Sequence, residues 1–120
     1  YEQFLAGVTN RRIDYDARSR STEVETVPAR AVELMRSLCE GLRSLPATVL
    51  EASVEVRMDG GGAAAWTPSS VRRELQFLIS HTIHHYALIA TIAPAIGHEA
   101  LPADFGVAPS TLKHRAGQAS

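Results

Sequence analysis

The sequence has one cysteine, one tryptophan, few aromatic residues and no excess of charge of either sign. Because Cys39 has no second cysteine to pair with, a disulfide framework within the chain is excluded. Twelve basic and thirteen acidic side chains give a formal charge of -1, which offers no electrostatic basis for binding nucleic acid or an acidic membrane. The longest apolar run, residues 86–96, is about half as long as a bilayer-spanning helix. We therefore expect a cytoplasmic protein that binds neither nucleic acid nor a membrane.

The apolar residues that are present suffice for one core. Leu, Ile, Val and Phe account for 29 of 120 residues, which is above the roughly 20% below which chains tend to stay disordered. The length fits a single domain over residues 1–120. The chain starts at Tyr1 inside a helical pattern, so we expect this domain to be N-terminally incomplete.

The first half of the chain contains two helical patterns. Residues 1–7 resemble the last two turns of a helix, with Gly7 as its C-cap. Residues 10–25 are polar and without a period, which predicts a long connection. From Pro28 to about Ser44 the apolar residues fall on one arc, which predicts an amphipathic helix with Cys39 on its buried side.

The middle of the chain has the pattern of a short strand. Within residues 48–58, apolar and polar side chains alternate from Val54 to Arg57, as in a half-exposed strand. Residues 59–62 predict a turn, and residues 63–66 predict a short returning strand. A small β-hairpin between the second and third helices follows from this pattern.

The longest helix is predicted from Pro68 to about Ile96, with Thr67 as its cap and Gly97 as its left-handed stop. A short helix is predicted over residues 109–115. At 100° per residue the long helix has one apolar face, which predicts its core side. That face consists of Val71, Leu75, Leu78, Ile79, Tyr86, Ile89, Ala93 and Ile96.

Three of the five histidines lie within five positions of this helix. His81 and His85 are one turn apart at the edge of the core face, whereas His84 lies on the outer flank. Two imidazoles at this spacing can bind one divalent cation. They can equally be hydrogen-bonded core or rim histidines, or a metal-free acid–base pair. Spacing leaves these three interpretations open.

The run of residues 73–86, RELQFLISHTIHHY, resembles the metal-bearing helix of the DinB/YfiT-like superfamily. Residues 15–20 and 104–110 are similar to other parts of one bacterial subgroup. The resemblance implies an all-α fold, a four-helix bundle with a three-histidine metal site, in which His81 and His85 are ligands and His84 is not. It places the third histidine on the first helix, upstream of Tyr1. The first helix would then be truncated and the metal site incomplete.

The leading functional hypothesis is a divalent-metal-dependent enzyme that holds Zn, Ni or Fe. The resemblance implies a thiol-dependent transferase or a hydrolase, with a small-molecule substrate and a low-molecular-weight thiol as partners. Glu74 is the candidate catalytic carboxylate, with a surface ion pair as the alternative. Arg18 and Arg20 are candidates for binding an anionic substrate. With two ligands present, we expect metal binding by this chain to be weak or absent.

The alternative is a non-enzymatic helical bundle that acts by association and has a vestigial metal site. If part of the first helix is missing, two helices lose cover for their apolar faces. This predicts a homodimer that uses the Leu34, Leu38 and Leu42 side of the second helix, the start of the histidine helix, or both. Phe4 and Leu5 are expected near that interface.

Overall fold

The computed structural model describes residues 1–58 and 66–118, and the chain divides into two units, Tyr1–Leu75 and Gln76–Ser120. The described residues form five α-helices, a three-stranded sheet and two short 3-10 turns. In chain order the helices and strands are α1 (Glu2–Val8), β1 (Arg12–Asp14), α2 (Thr22–Thr26), α3 (Pro28–Ser44), β2 (Ser53–Arg57), β3 (Thr67–Ser70), α4 (Val71–Ala95) and α5 (Pro109–Gln118). The 3-10 turns are Tyr15–Ala17 and Ala47–Glu51.

The sheet of the first unit has the strand order β1-β2-β3. Strands β1 and β2 are parallel, with Ile13 opposite Val56, and α2 and α3 lie in the crossover between them. Strands β2 and β3 are antiparallel, with Val54 opposite Ser69. The fully or almost fully buried apolar side chains of this unit are Phe4, Val8, Ile13, Val54 and Val71.

The predicted all-α four-helix bundle is wrong, because the described residues form a mixed α/β fold. Within the predicted connection over residues 10–25, the structure has β1, a 3-10 turn and α2. Strand β1 has three residues and only Ile13 is buried, so it is too short to show an alternating pattern. Its pairing with β2 is reinforced by ion pairs of Arg12 with Glu55 and of Asp14 with Arg57.

The predicted start of the long helix at Pro68 is also wrong. Residues Thr67–Ser70 are strand β3, and α4 begins at Val71. Pro68 is tolerated because β3 is an edge strand, where a missing N–H need not break the ladder. The Ser70 hydroxyl, not that of Thr67, accepts a hydrogen bond from the Arg73 backbone N–H at 3.3 Å.

The predicted hairpin is represented by the antiparallel pair of β2 and β3. Its second strand is Thr67–Ser70, whereas the prediction placed it at residues 63–66. The predicted turn and most of the predicted returning strand fall on residues 59–65, outside the described residues.

Gly7 lies inside α1 and is not its C-cap, which is Thr9. A Cβ atom on Gly7 would lie 2.1 Å from the Arg12 carbonyl oxygen and 2.8 Å from the Ile13 Cα. The glycine is therefore required because β1 crosses directly over it. Gly41 of α3 is similarly close to the Leu5 side chain, at 2.8 Å from where its Cβ would be.

Helix α3 has the predicted bounds, Pro28–Ser44, with Pro28 in its first turn. None of its residues is buried, and Val32, Met35 and Cys39 are exposed. The prediction that Cys39 is a core residue is therefore wrong. The reason is that α3 packs against the short helices α1 and α2, which cover only part of its apolar arc.

In the second unit, the predicted core face of α4 is only partly buried. Leu78 and Ala93 are buried, whereas most of the large apolar side chains on this helix, and Ile96 directly after it, are exposed. The exposed side chains are Ile79, Tyr86, Leu88, Ile89, Ile92 and Ile96. Within residues 1–58 and 66–118, no helix combines the length and apolar content needed to cross a membrane.

The end of α4 and the segment after it have well-defined contacts. Gly97 has φ 85°, which confirms the predicted left-handed stop. The Phe105 ring stacks on Tyr86 with centroids 4.6 Å apart. Gly106, with φ 74°, passes so close to α4 that a Cβ would lie 2.5 Å from the Ala87 nitrogen. The final predicted helix is confirmed as α5 and extends to Gln118.

Candidate functional site

The histidine cluster lies on the solvent side of α4. The Nε2 atoms of His81 and His85 are 3.0 Å apart, and the two rings are nearly perpendicular with centroids 4.5 Å apart. The His84 ring centroid lies 5.5 Å from that of His85. All three histidines are exposed, so the expected interior position of His81 and His85 is not observed. The described residues leave this side of the helix open to solvent.

The separation of the two Nε2 atoms suits a shared cation. With metal–nitrogen bonds of about 2.0–2.1 Å, nitrogens 3.0 Å apart subtend an angle of about 90° at the metal. The same separation suits an N–H···N hydrogen bond between two neutral imidazoles of complementary tautomers. The part of the chain that the structure describes has no group of three or more His, Cys, Asp or Glu side chains that could hold a metal. His81 and His85 are therefore a two-ligand site.

Phe77 contributes to the position of His81. The two rings are one turn apart on α4 and lie stacked, with centroids 5.7 Å apart and an interplanar angle of 20°. Stacking of this kind restricts rotation of the His81 ring about its side-chain bonds. The helix repeat therefore sets the spacing of the imidazoles, and Phe77 helps to set the plane of one of them.

Glu74 is at the centre of a second polar cluster, in the first unit. Its side chain is 1% exposed. The Tyr15 hydroxyl donates to its Oε2 at 3.1 Å, the Ser69 hydroxyl donates to its Oε1 at 2.5 Å, and the Arg73 guanidinium lies 2.9 Å from Oε1. A buried carboxylate needs such donors and a nearby cation to offset its lost hydration. The predicted ion pair of Glu74 is present, with Arg73, but the carboxylate is buried and not at the surface, and the catalytic role of Glu74 stays a prediction.

The environment of Glu74 changes the acidity of Tyr15. Burial of the phenol is the largest cause, and the adjacent Glu74 carboxylate adds to it, so the pKa of Tyr15 is raised well above its ordinary value. Nearby, the hydrogen bond from Arg57 holds the pKa of Asp14 below its ordinary value. Tyr15 is therefore a neutral hydrogen-bond donor at physiological pH.

A cleft of about 260 Å³ opens beside this network, between β2, β3 and the start of α4. Polar groups of Thr67, Ser69, Arg73 and Glu74 line one part of the cleft. Val56, Met58 and Pro68 line the apolar part.

The structure places Arg18 and Arg20 together at a different concave surface of the first unit, with a volume of about 430 Å³. Both side chains are exposed. Two carboxylates, Glu2 and Glu25, line the same concavity and oppose the positive charge of the arginines.

The sequence did not indicate Tyr15, Ser69 or Trp66 as site residues. Tyr15 and Glu74 are 59 positions apart, and only the fold brings them together. Trp66 lies against the guanidinium groups of Arg12 and Arg57, whose Cζ atoms are 5.1 and 5.2 Å from its ring centroid. These contacts form only when the strands pair, and no short sequence motif predicts that pairing.

Comparison with known proteins gives one partial relationship. FK506-binding protein 5 of Rhizopus delemar is 31% identical over 106 residues, which cover 85% of this chain. The chain spans 27% of the length of that protein. No family model matches the chain, and no solved structure matches it. The resemblance to the DinB/YfiT-like superfamily is therefore wrong, since no family model supports it and the fold contains a sheet.

Proposed function

We propose that the protein is a divalent-metal-dependent enzyme whose metal is held by His81 and His85. The observation that supports this proposal is the 3.0 Å separation of their Nε2 atoms on an exposed helix face. A neutral imidazole is the commonest protein ligand for zinc and nickel, and i, i+4 spacing presents two of them without strain.

The class of reaction follows from the small number of protein ligands. A cation held by two imidazoles keeps positions for water or a thiol, and it lowers the pKa of that group so that a nucleophile exists near neutral pH. The chain's own task is to present two unprotonated nitrogens one turn apart, with Phe77 stacked on His81. We propose hydrolysis or thiol-dependent group transfer on a small molecule, with a low-molecular-weight thiol as the second partner.

The remaining parts of the proposal concern substrate and location. Arg18 and Arg20 line one concave surface. Guanidinium groups in such a position can bind an anionic group of the substrate. Cys39 is an exposed free thiol, which a reducing compartment preserves. We therefore propose a cytoplasmic location.

The metal content of histidine variants tests the proposal. We expect elemental analysis to find zinc or nickel on the chain after either metal has been added in excess, because two imidazoles alone bind it weakly. We expect His81→Ala and His85→Ala each to lose the metal, because one imidazole binds a divalent cation weakly. His98→Ala, a histidine outside α4, is the matched control and should keep it. Equal metal content in all four proteins would overturn the proposal.

Metal-dependent hydrolysis of a chromogenic ester, lost in the same two variants, tests the catalytic part.

A second candidate function is association without catalysis. The observation that favours it is the row of exposed apolar side chains on α4, since such surfaces in soluble chains commonly bind other proteins. A chain that stays folded and dimeric, and binds no metal at any concentration tested, would favour this function over the first.

A further inference from the structure

The face of α4 that carries His81 and His85 continues toward the C-terminus as an exposed apolar stripe. Leu88, Ile92 and Ile96 are 45%, 54% and 67% exposed. Together with the two histidines they follow one another in steps of four, three, four and four residues. At 100° per residue the five side chains fall within an arc of about 80°. We call these five residues the α4 seam.

The α4 seam lies in a segment without ionic side chains. Residues 76–98 contain no Asp, Glu, Lys or Arg, although such residues make up 21% of the chain. An exposed helix normally carries charges that keep it solvated and separate from its copies. Here no Lys, Arg, Asp or Glu repels a second copy of the helix, and large apolar side chains favour its approach.

The spacing of the α4 seam fits a second copy of the same helix. The steps of four, three and four residues from His81 to Ile92 are typical of two-stranded coiled coils, and Ile96 follows directly after α4. When two such helices lie parallel and in register about a two-fold axis, each seam residue meets its own counterpart. Such a pair would bury Leu88, Ile92 and Ile96, and would bring the two histidine pairs to the same level.

Two histidines are too few to complete a metal site, and the parallel pairing of two copies supplies further ligands. Two imidazoles leave a divalent cation short of the three or four protein ligands that zinc takes. Among the described residues no third His, Cys, Asp or Glu joins His81 and His85. Two copies in register supply four imidazole nitrogens, of which three would complete the ligand set of a catalytic zinc and leave its fourth position to water or a thiol.

We infer that two copies of the chain pair in parallel through the α4 seam and share one divalent cation between their two histidine pairs. This inference rests on the proposed metal-binding function, and it adds the source of the missing ligands and the oligomeric state. The cation would stabilise the dimer, because it would bind more tightly when both copies are present.

Mass and stoichiometry on the unaltered chain test the inference. Light scattering in EDTA and with added zinc should show a zinc-dependent shift toward twice the monomer mass, with one zinc for every two chains at saturation. One zinc per chain with an unchanged mass would overturn the shared site while leaving the proposed function in place. No zinc bound would overturn both.

Charge variants test the pairing face. Ile92→Glu should weaken zinc-dependent dimerisation at least tenfold, because it places two like charges opposite each other across the axis. Thr91→Glu, the adjacent residue outside the seam, is the matched control and should dimerise as the unaltered chain does. Circular dichroism checks that both variants keep their helices. Equal dimerisation of the two folded variants would overturn the seam as the interface.

Discussion

Glu74 shows that the burial of a single residue can differ from what its position in the sequence suggests. On a helical wheel it lies beside the histidines, and its position suggests either catalysis or an ion pair at the surface. In the structure it is buried, and it accepts hydrogen bonds from Tyr15 and Ser69 as well as contacting Arg73. These groups come from a 3-10 turn, a strand and a helix. The carboxylate therefore joins three elements of the first unit.

The raised pKa of Tyr15 predicts a loss of stability at high pH. The unfolded phenol ionises near its ordinary pKa of 10.0, whereas the folded phenol resists ionisation. The contribution of Tyr15 to the free energy of unfolding is therefore fully present below pH 10. It is lost as the pH rises above 10 toward the pKa of the folded phenol. Compared with the Tyr15→Phe variant, the unaltered chain loses at most about 1.4 kcal/mol of unfolding free energy per pH unit. The loss is smaller here because the ring is only half-buried.

Urea unfolding of both proteins from pH 8 to pH 11 measures this effect. The difference in the free energy of unfolding between the unaltered chain and Tyr15→Phe should be constant up to about pH 9.5 and should then fall. A difference that stays constant to pH 11 would show that the folded phenol ionises as readily as the unfolded one.

At the scale of elements, the contact between α1 and β1 requires Gly7. The helix and the strand approach so closely that a methyl group at this position overlaps the Arg12 carbonyl. Strand β1 cannot move away freely, because it is hydrogen-bonded to β2 through pairs such as Ile13 and Val56.

We predict that Gly7→Ala lowers the free energy of unfolding by about 1–3 kcal/mol, although alanine has the higher helix propensity. Gly117→Ala in α5 is the matched control, since nothing lies within 4 Å of its added Cβ. It should be neutral or stabilising by up to about 1 kcal/mol. Urea unfolding followed by circular dichroism measures both. Similar effects of the two substitutions would contradict the close contact at Gly7.

At the scale of the whole molecule, charge is distributed unevenly between the two units. Of the 25 charged side chains in the sequence, 21 belong to residues 1–75 and only four to residues 76–120. The second unit also has most of the exposed large apolar side chains. Association of the molecule should therefore depend on apolar contact in the second unit more than on charge.

This distribution predicts that dimerisation is nearly independent of salt. Raising NaCl from 50 to 500 mM shortens the Debye length to about 4 Å, but the seam has no Lys, Arg, Asp or Glu for salt to screen. We expect the dimer dissociation constant to change by less than about threefold at fixed zinc concentration. Sedimentation at both salt concentrations measures it, and a tenfold or larger change would indicate an interface formed by the charged first unit.

The sequence by itself determined the elements that have a strong local pattern. Helix α3, the end of α4 at Gly97, the helical nature of residues 71–95 and strand β2 all follow from periodicity and capping. The one-turn spacing of His81 and His85 is also local, because any α-helix places residues i and i+4 on one face. The pairing of these two imidazoles was therefore predictable.

Only the tertiary structure decided the sheet, the surroundings of Glu74 and which faces are covered. Strands β1 and β3 have three and four residues, too few for a period, and they exist because β2 offers each of them a hydrogen-bonding partner. Cys39 and Ile89 have apolar patterns that predict burial, yet both are exposed. Periodicity shows that a helix has an apolar face, but whether that face is buried depends on which other elements pack against it.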